Sequence, residues 1–268
     1  MKISISALSV AYGLSSEALR YYEEKGLLSP ERTSSSGFRK FSLADMQRVG
    51  IIKSMQRQGF SLDEIKHILT SCSLTGLISI MDEKRRENQT QITLALCIQS
   101  RMTTATDLLR DADRLLMQPR LCGGCAAYLA HYESVTAFWQ NVPHSPQLRE
   151  LIEALPLTSY CTVVPLARFG DDSIPLRTGI CAPVEYSTAV RADFSRMSMS
   201  AGPRCVRVLF ELVPPESRSI QPVLACAQAF IREQGLTPVS DGYTRQYAWY
   251  VDEQKRQHQY SELIIPVM

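Results

Sequence analysis

From Leu74 onward, apolar residues recur three and four positions apart. They run Leu74, Ile78, Met81, then Ile92 and Ala95, then, after one three-residue step, Ile98, Met102, Ala105, Leu109, Ala112 and Leu116. Arg85 and Asn88 occupy the same seam between the two blocks. This spacing predicts a coiled-coil helix with a polar break and a phase shift near Ala95. At 1.5 Å per residue, a helix from Gly76 to Met117 is roughly 60 Å long, too long to be the packing helix of one domain. The competing expectation is an amphipathic helix lying on its own domain. Either way the chain divides around it, into residues 1–73, a helix over 74–118 that Gln118-Pro119 ends, and residues 119–268.

A chain of 268 residues supports such a division, and each flank can bury a core without disulfide staples. The 45% hydrophobic and 21% charged content excludes a fibrous or disordered protein. No apolar run reaches the length of a spanning helix, so no membrane partner is expected. The opening ISISALSVAYGL imitates a signal peptide, but serines interrupt it, and Ile5, Leu8 and Tyr12 fall at helical spacing. The chain is therefore read as cytoplasmic. Its eight cysteines, at 72, 97, 122, 125, 161, 181, 205 and 226, are accordingly read as buried free thiols.

Charge is unevenly spread. Residues 1–60 hold nine Lys/Arg against five Asp/Glu, residues 61–120 eight of each, and residues 121–268 twelve against fourteen. A basic head on an acidic body points to an anionic partner in front and a cationic one behind.

The head reads as a helix-turn-helix. Ile3 to Tyr12 forms a short helix stopped at Gly13, Ser15 or Ser16 caps the next, and SSEALRYYEEKGLL continues as a second helix ending at Gly26. Ala18, Leu19 and Tyr22 fall on its buried side. Ser15, Ser16 and Glu17 lead it, with Arg20 and Tyr21 one turn on. In SPERTSSSGFRKF, Ser34 to Gly37 form a turn flanked by Arg32, Arg39 and Lys40, a small hairpin whose cations suit phosphate. Leu43 to Gln58 and SLDEIKHILT make two more helices, the latter with Ser61 and Glu64 as a capping box.

ALRYYEEKGLL, RTSSSGFRKFSLADM and GFSLDEIKHIL, in that order and spacing, closely resemble the winged helix-turn-helix of MerR-type transcription regulators over about residues 3–70. The resemblance implies that Arg20 and Tyr21 touch DNA from the recognition helix and that Arg39 and Lys40 grip phosphates from the wing. Tyr22 is read as core, and Gly37 as serving its turn. MerR-like proteins use the long helix to pair antiparallel in a homodimer that reads a two-fold related promoter element. The implied partners are double-stranded promoter DNA and RNA polymerase.

After the helix one pattern occurs twice. Strands at Tyr128–Val135, Thr162–Phe169 and Gly179–Ala189 enclose a helix at Pro146–Leu155. Strands at Arg204–Val213, Gly242–Val251 and Tyr260–Val267 enclose a helix at Gln221–Gln234. The expected class is α+β: a winged helix-turn-helix, a long antiparallel coiled-coil helix and a duplicated βαββ domain. The tail resembles the gyrase-inhibitor-like effector domain of the multidrug-sensing MerR branch.

That resemblance implies a bulky lipophilic cation held between aromatic faces and a carboxylate. The aromatic candidates are Phe138, Trp139, Tyr186, Phe210, Tyr247, Trp249 and Tyr260. The carboxylates are Glu185 and Glu262, each placed in the last strand of its repeat. Alternatively each Glu points to solvent or pairs with Arg207 or Arg245, because strand alternation cannot say which face is inside. A second alternative is metal or redox sensing by Cys122 and Cys125, a CxxC directly after the helix, with His131 as a further donor. GxSxG, HExxH, P-loop and GxGxxG motifs are absent, and the four histidines are scattered, so neither an enzyme nor a cofactor is expected.

Overall fold

The structure, a computed structural model, describes residues 2–32, 38–190, 192–213 and 219–268. The chain forms two compact units that divide between Ile92 and Thr93.

In the first unit, β1 (Ile3–Ser4) precedes α1 (Ile5–Tyr12). The helix expected from Ile3 therefore starts two residues later, because Ile3 and Ser4 pair with Phe41 and Lys40 of β3 (Arg39–Phe41). The Ser4 hydroxyl then caps α1 by accepting from the Ala7 amide at 3.2 Å. Gly13 closes α1 at φ +60°, a left-handed turn that favours glycine. Ser15 caps α2 (Ser16–Glu24), accepting from the Ala18 amide at 3.1 Å.

β2 (Glu31–Arg32) and β3 form the wing, with Arg32 opposite Arg39. The turn expected at Ser34–Gly37, and the Gly37 site with it, lies outside the described residues. α3 (Leu43–Arg57) and α4 (Leu62–Thr70) both begin in capping boxes, the second through Ser61 and Glu64 as the sequence predicts. Leu8, Leu19, Tyr22, Phe41, Val49, Ile52 and Ile65 fill the core of this unit.

α5 runs from Leu74 to Arg110, followed by the short α6 (Ala112–Leu115). The helix thus stops short of the expected Met117, which adopts φ +56° while its amide donates to the Leu209 carbonyl at 2.8 Å. Leu74, Ile78, Met81, Ile92 and Met102 are exposed. Ile98 instead packs against a core of Phe138, Leu148, Leu151 and Tyr186, and Ala112 and Leu116 pack with Leu209. A narrow seam drifts around a straight 3.6-residue helix, so part of its far half turns to the chain's own domain while Met102 and Leu109 stay exposed.

The second unit holds a six-stranded closed barrel of order β4-β6-β5-β8-β9-β7. Its strands are β4 (Arg120–Tyr132), β5 (Ser159–Val164), β6 (Arg177–Pro183), β7 (Ser198–Leu212), β8 (Gly242–Val251) and β9 (Gln257–Val267). The helices are α7 (Val135–Asn141), α8 (Pro146–Glu153) and α9 (Gln221–Glu233). Each βαββ repeat contributes three strands, β4-β6-β5 and β7-β9-β8, and the halves join along β4–β7 and β5–β8.

Strand bounds differ from expectation at both ends. β4, β5, β6, β7 and β9 begin earlier, at Arg120, Ser159, Arg177, Ser198 and Gln257, so Cys122 and Cys125 lie within β4. β4, β5 and β6 also end earlier. β4 ends at Tyr132, because Ser134 caps an additional helix, α7, on the Ala137 amide. β5 stops before Pro165. β6 ends at Pro183, whose missing amide hydrogen suits the end of a ladder. Glu185 and Tyr186 consequently sit on a 3-10 turn (Val184–Tyr186), not in the last strand of the first repeat.

Among the described residues no helix is long and apolar enough to cross a membrane. The barrel's outer face packs on α9 through Val206, Val208, Phe210, Leu224 and Leu263, while Ala127, Leu129, Cys161, Cys181, Cys205, Tyr243 and Ile264 form a separate cluster.

Candidate functional site

Arg20 and Tyr21 lie exposed on α2, and the Lys25 ammonium sits 5.5 Å from the Tyr21 ring centre. Tyr22 turns inward and donates its hydroxyl to Gln56 Oε1 at 2.8 Å. Ser15 is occupied as the cap, and the Ser16 hydroxyl meets that of Ser9 at 3.3 Å. On the wing, Lys40 stands opposite both Glu31 and Ser4, with Lys2 bonded to Glu31. Arg32 and Arg39 converge on Glu23 of α2. Burial acts to raise the Glu23 carboxyl, but hydrogen bonds from Arg39 and Arg32 outweigh it and hold the group below its ordinary value. Glu23 carries no sequence signal of this role, since its partners lie nine and sixteen residues away.

The barrel unit presents a cavity of about 560 Å³, lined by Cys125, Glu185, Arg207, Tyr243 and Arg245 together with small residues such as Gly124 and Gly202. Of the residues expected to hold a ligand, only Glu185 lines it. Phe138 and Phe210 are buried in two different cores. Trp139 and Trp249 are exposed, the former 5.7 Å from the Tyr160 ring centre. Tyr260 stacks 6.4 Å from Tyr250.

The aromatic faces expected to receive a cation do hold one, and it is the chain's own. The Arg245 guanidinium carbon lies 5.3 Å from the ring centres of both Tyr186 and Tyr247. Arg245 Nη1 also donates to Glu185 Oε1 at 3.0 Å.

Glu262 is 1% exposed and fully engaged. Arg120 donates to it at 2.6 Å, Arg207 lies at 3.6 Å, and the Tyr247 hydroxyl donates at 2.9 Å. Both carboxylates are thus paired with arginines. The pairs expected as alternatives are present, and Arg120, 142 residues from Glu262, adds a partner that spacing cannot reveal.

Cys122 stands across the β4–β7 ladder from Cys205, and Arg207 Nε donates to Cys205 Sγ at 3.3 Å. A hydrogen bond from Cys125 pulls the Cys205 thiol down to about 6, burial opposing and Arg207 assisting. Hydrogen bonding to Cys205 and burial push Cys125 up. All eight cysteines are free, and among the described residues no group of three or more His, Cys, Asp or Glu is arranged to hold a metal ion.

Residues 3–72 match the family described as "MerR HTH family regulatory protein". The mercuric resistance operon regulatory protein of Serratia marcescens is 40% identical over 67 residues, 25% of this chain and 46% of that protein. Its namesake in Bacillus cereus is 43% identical over 70 residues, 26% and 52% of the two chains. The chain spans about half the length of these curated relatives. Among solved structures, the EcmrR–DNA complex in EcmrR-RPo is 17% identical, covers 99% of both chains and has a TM-score of 0.39. The family match, the capped helix pair and the two-stranded wing coincide on one stretch of sequence: over residues 3–72 the chain carries a helix-turn-helix domain of the MerR family.

Proposed function

We propose that the chain is a transcription regulator that binds promoter DNA as a homodimer through this domain and senses a small molecule with its barrel. The match over residues 3–72 carries the reading, and the relatives' names as operon regulatory proteins support it. Exposed Arg20 and Tyr21 would meet the major groove from α2, and Arg39, Arg32 and Lys40 would meet phosphates beside it. The exposed row Leu74, Ile78 and Met81 on α5 supplies an apolar surface for a second copy. By its resemblance, the dimer would sit on a promoter with an over-long spacer and bend and untwist it for RNA polymerase. The ligand would act through unequal affinity for two dimer states.

The compound sensed would be bulky and partly apolar, as the cavity volume supports. A lipophilic cation would meet Glu185 and Glu262 already held by arginines, with which it would have to compete. The Cys125–Cys205–Arg207 arrangement favours one second reading, a response to thiol chemistry or a soft metal, in which Cys205 rather than Cys122 is the partner of Cys125.

Selection of bound duplexes from a random-sequence pool tests the function. Recovered sequences with two-fold related half-sites, lost together with dimerisation in Ile78→Asp/Met81→Asp, would support it. A pool with no enriched sequence would sink it.

A further inference from the structure

We propose that the barrel cavity binds an organic anion through Arg245 and Arg207, and that Glu185 neutralises Arg245 in the unliganded chain. The proposal rests on the barrel being the sensing domain and names the charge of what it senses.

Arg245 carries the argument. Its side chain is 6% exposed and contributes to the cavity wall. Only Nη1 is engaged, with Glu185, while Nε and Nη2 are buried without a hydrogen-bond partner. These two nitrogens form the lateral edge of the guanidinium, the fork that matches the two oxygens of a carboxylate or phosphate. Leaving such donors buried and unpaired is costly; both are closed to water in the unliganded chain, and a bidentate anion that reaches them as the side chain shifts satisfies both at once. The flanking Tyr186 and Tyr247 rings hold the guanidinium plane in position for it.

The local charge balance points the same way. Arg207 and Arg245 line the cavity against one carboxylate, Glu185. Arg207 shares Glu262 with Arg120, so that carboxylate is already divided between two cations. Arg101, close enough to Arg245 for their charges to repel, adds a further buried guanidinium with an unpaired Nη1. Positive charge in excess at such a site draws an anion.

Glu185 is the replaceable partner. Its side chain is 57% exposed, on the 3-10 turn after β6, so releasing it to water costs little. Glu262, at 1% exposure, has no such exit. Apart from Cys125 and Tyr243, the remaining walls are small or apolar: Gly124, Ala126, Pro183, Val184, Ala201 and Gly202. An anionic head on a flat apolar body fits this lining.

Three probes with one body and different charge test the proposal on the full chain by calorimetry: biphenyl-4-carboxylate, biphenyl-4-carboxamide and biphenyl-4-carboxamidine. The carboxylate is expected to bind saturably and the amidine not. Glu185→Gln removes the internal competitor and should tighten carboxylate binding several-fold, whereas a cation site would be weakened by it. Arg245→Gln should weaken the carboxylate about tenfold or more, a charged hydrogen-bond pair being lost. Because Glu185 is exposed, Glu185→Gln keeps the test open if Arg245→Gln fails to fold. Preference for the amidine, weaker carboxylate binding in Glu185→Gln, or no carboxylate binding overturns the anion site. Carboxylate binding that tightens in Glu185→Gln but leaves DNA affinity unchanged upholds the anion site and overturns the sensing role.

Discussion

Arg39 Nε on the wing donates to Glu23 Oε2 on the recognition helix at 2.5 Å, while Arg32 reaches Oε1 of the same carboxylate at 3.2 Å. One glutamate therefore orients two wing cations at the face where DNA is proposed to lie. Neighbouring Arg32 and Arg39 across the ladder would otherwise repel.

Replacing Arg39 by Ala is expected to weaken binding to all duplex sequences. The slope of log Kobs against log salt should fall in magnitude by about one unit, the share of a single phosphate contact. Fluorescence anisotropy over a salt series measures it, and an unchanged slope would remove Arg39 from the phosphate contacts.

His258 sets a stability change with pH. Its Nδ1 lies 2.6 Å from Glu211 and its Nε2 3.0 Å from Asp252, and the ring stacks 4.7 Å from Tyr250. Hydrogen bonds to Asp252 and then Glu211 raise its pKa above the ordinary value, against a weaker burial effect. The stabilisation is complete below the unfolded value of about 6.5 and is lost as pH rises through the raised one. Urea midpoints of the wild type should fall from pH 6 to 9 more than those of His258→Gln. Parallel curves would refute the assignment.

Glu262→Gln should destabilise the barrel by about 3–5 kcal/mol, because it leaves Arg207 and Arg120 facing each other with no compensating charge. Combining it with Arg207→Met should recover part of the loss. Equal instability in single and double variants would show that the pair is not coupled.

A Cβ added at Gly179 would stand 2.2 Å from the Ala130 carbonyl oxygen of the neighbouring strand. Gly179→Ala should force β4 and β6 apart and cost about 1–3 kcal/mol, as overpacking does. Urea unfolding reads it, and wild-type stability would mean that the strands yield freely.

Much of the head was legible because its signals are local. Gly13, the Ser15 cap and the Ser61–Glu64 capping box act over three or four residues, and each appears where spacing places it. The tail's element order was legible too, since two βαββ periods repeat the same succession of strand and helix. Helix α7 was not: Val135, Phe138 and Trp139 do fall at helical spacing after the Ser134 cap, but seven residues are too few for the period to stand out beside the strand that runs into them. Glu185 was misplaced by a strand drawn past Pro183, whereas Glu262 lies within β9 as expected.

Sequence alone determined most of the helices, the caps at Ser15 and Ser61 and the repeat, because backbone hydrogen bonds and side-chain periodicity are decided by near neighbours. Tertiary structure decided which charges meet. Arg120 reaches Glu262 across 142 residues and Arg245 reaches Glu185 across sixty, because barrel closure brings β4 through β7 to β9 and sets β8 beside β5. In a barrel both faces of a strand can be covered, so alternation does not distinguish a carboxylate awaiting a ligand from one already held by an arginine. That choice depends on distance and burial, which only the closed barrel supplies.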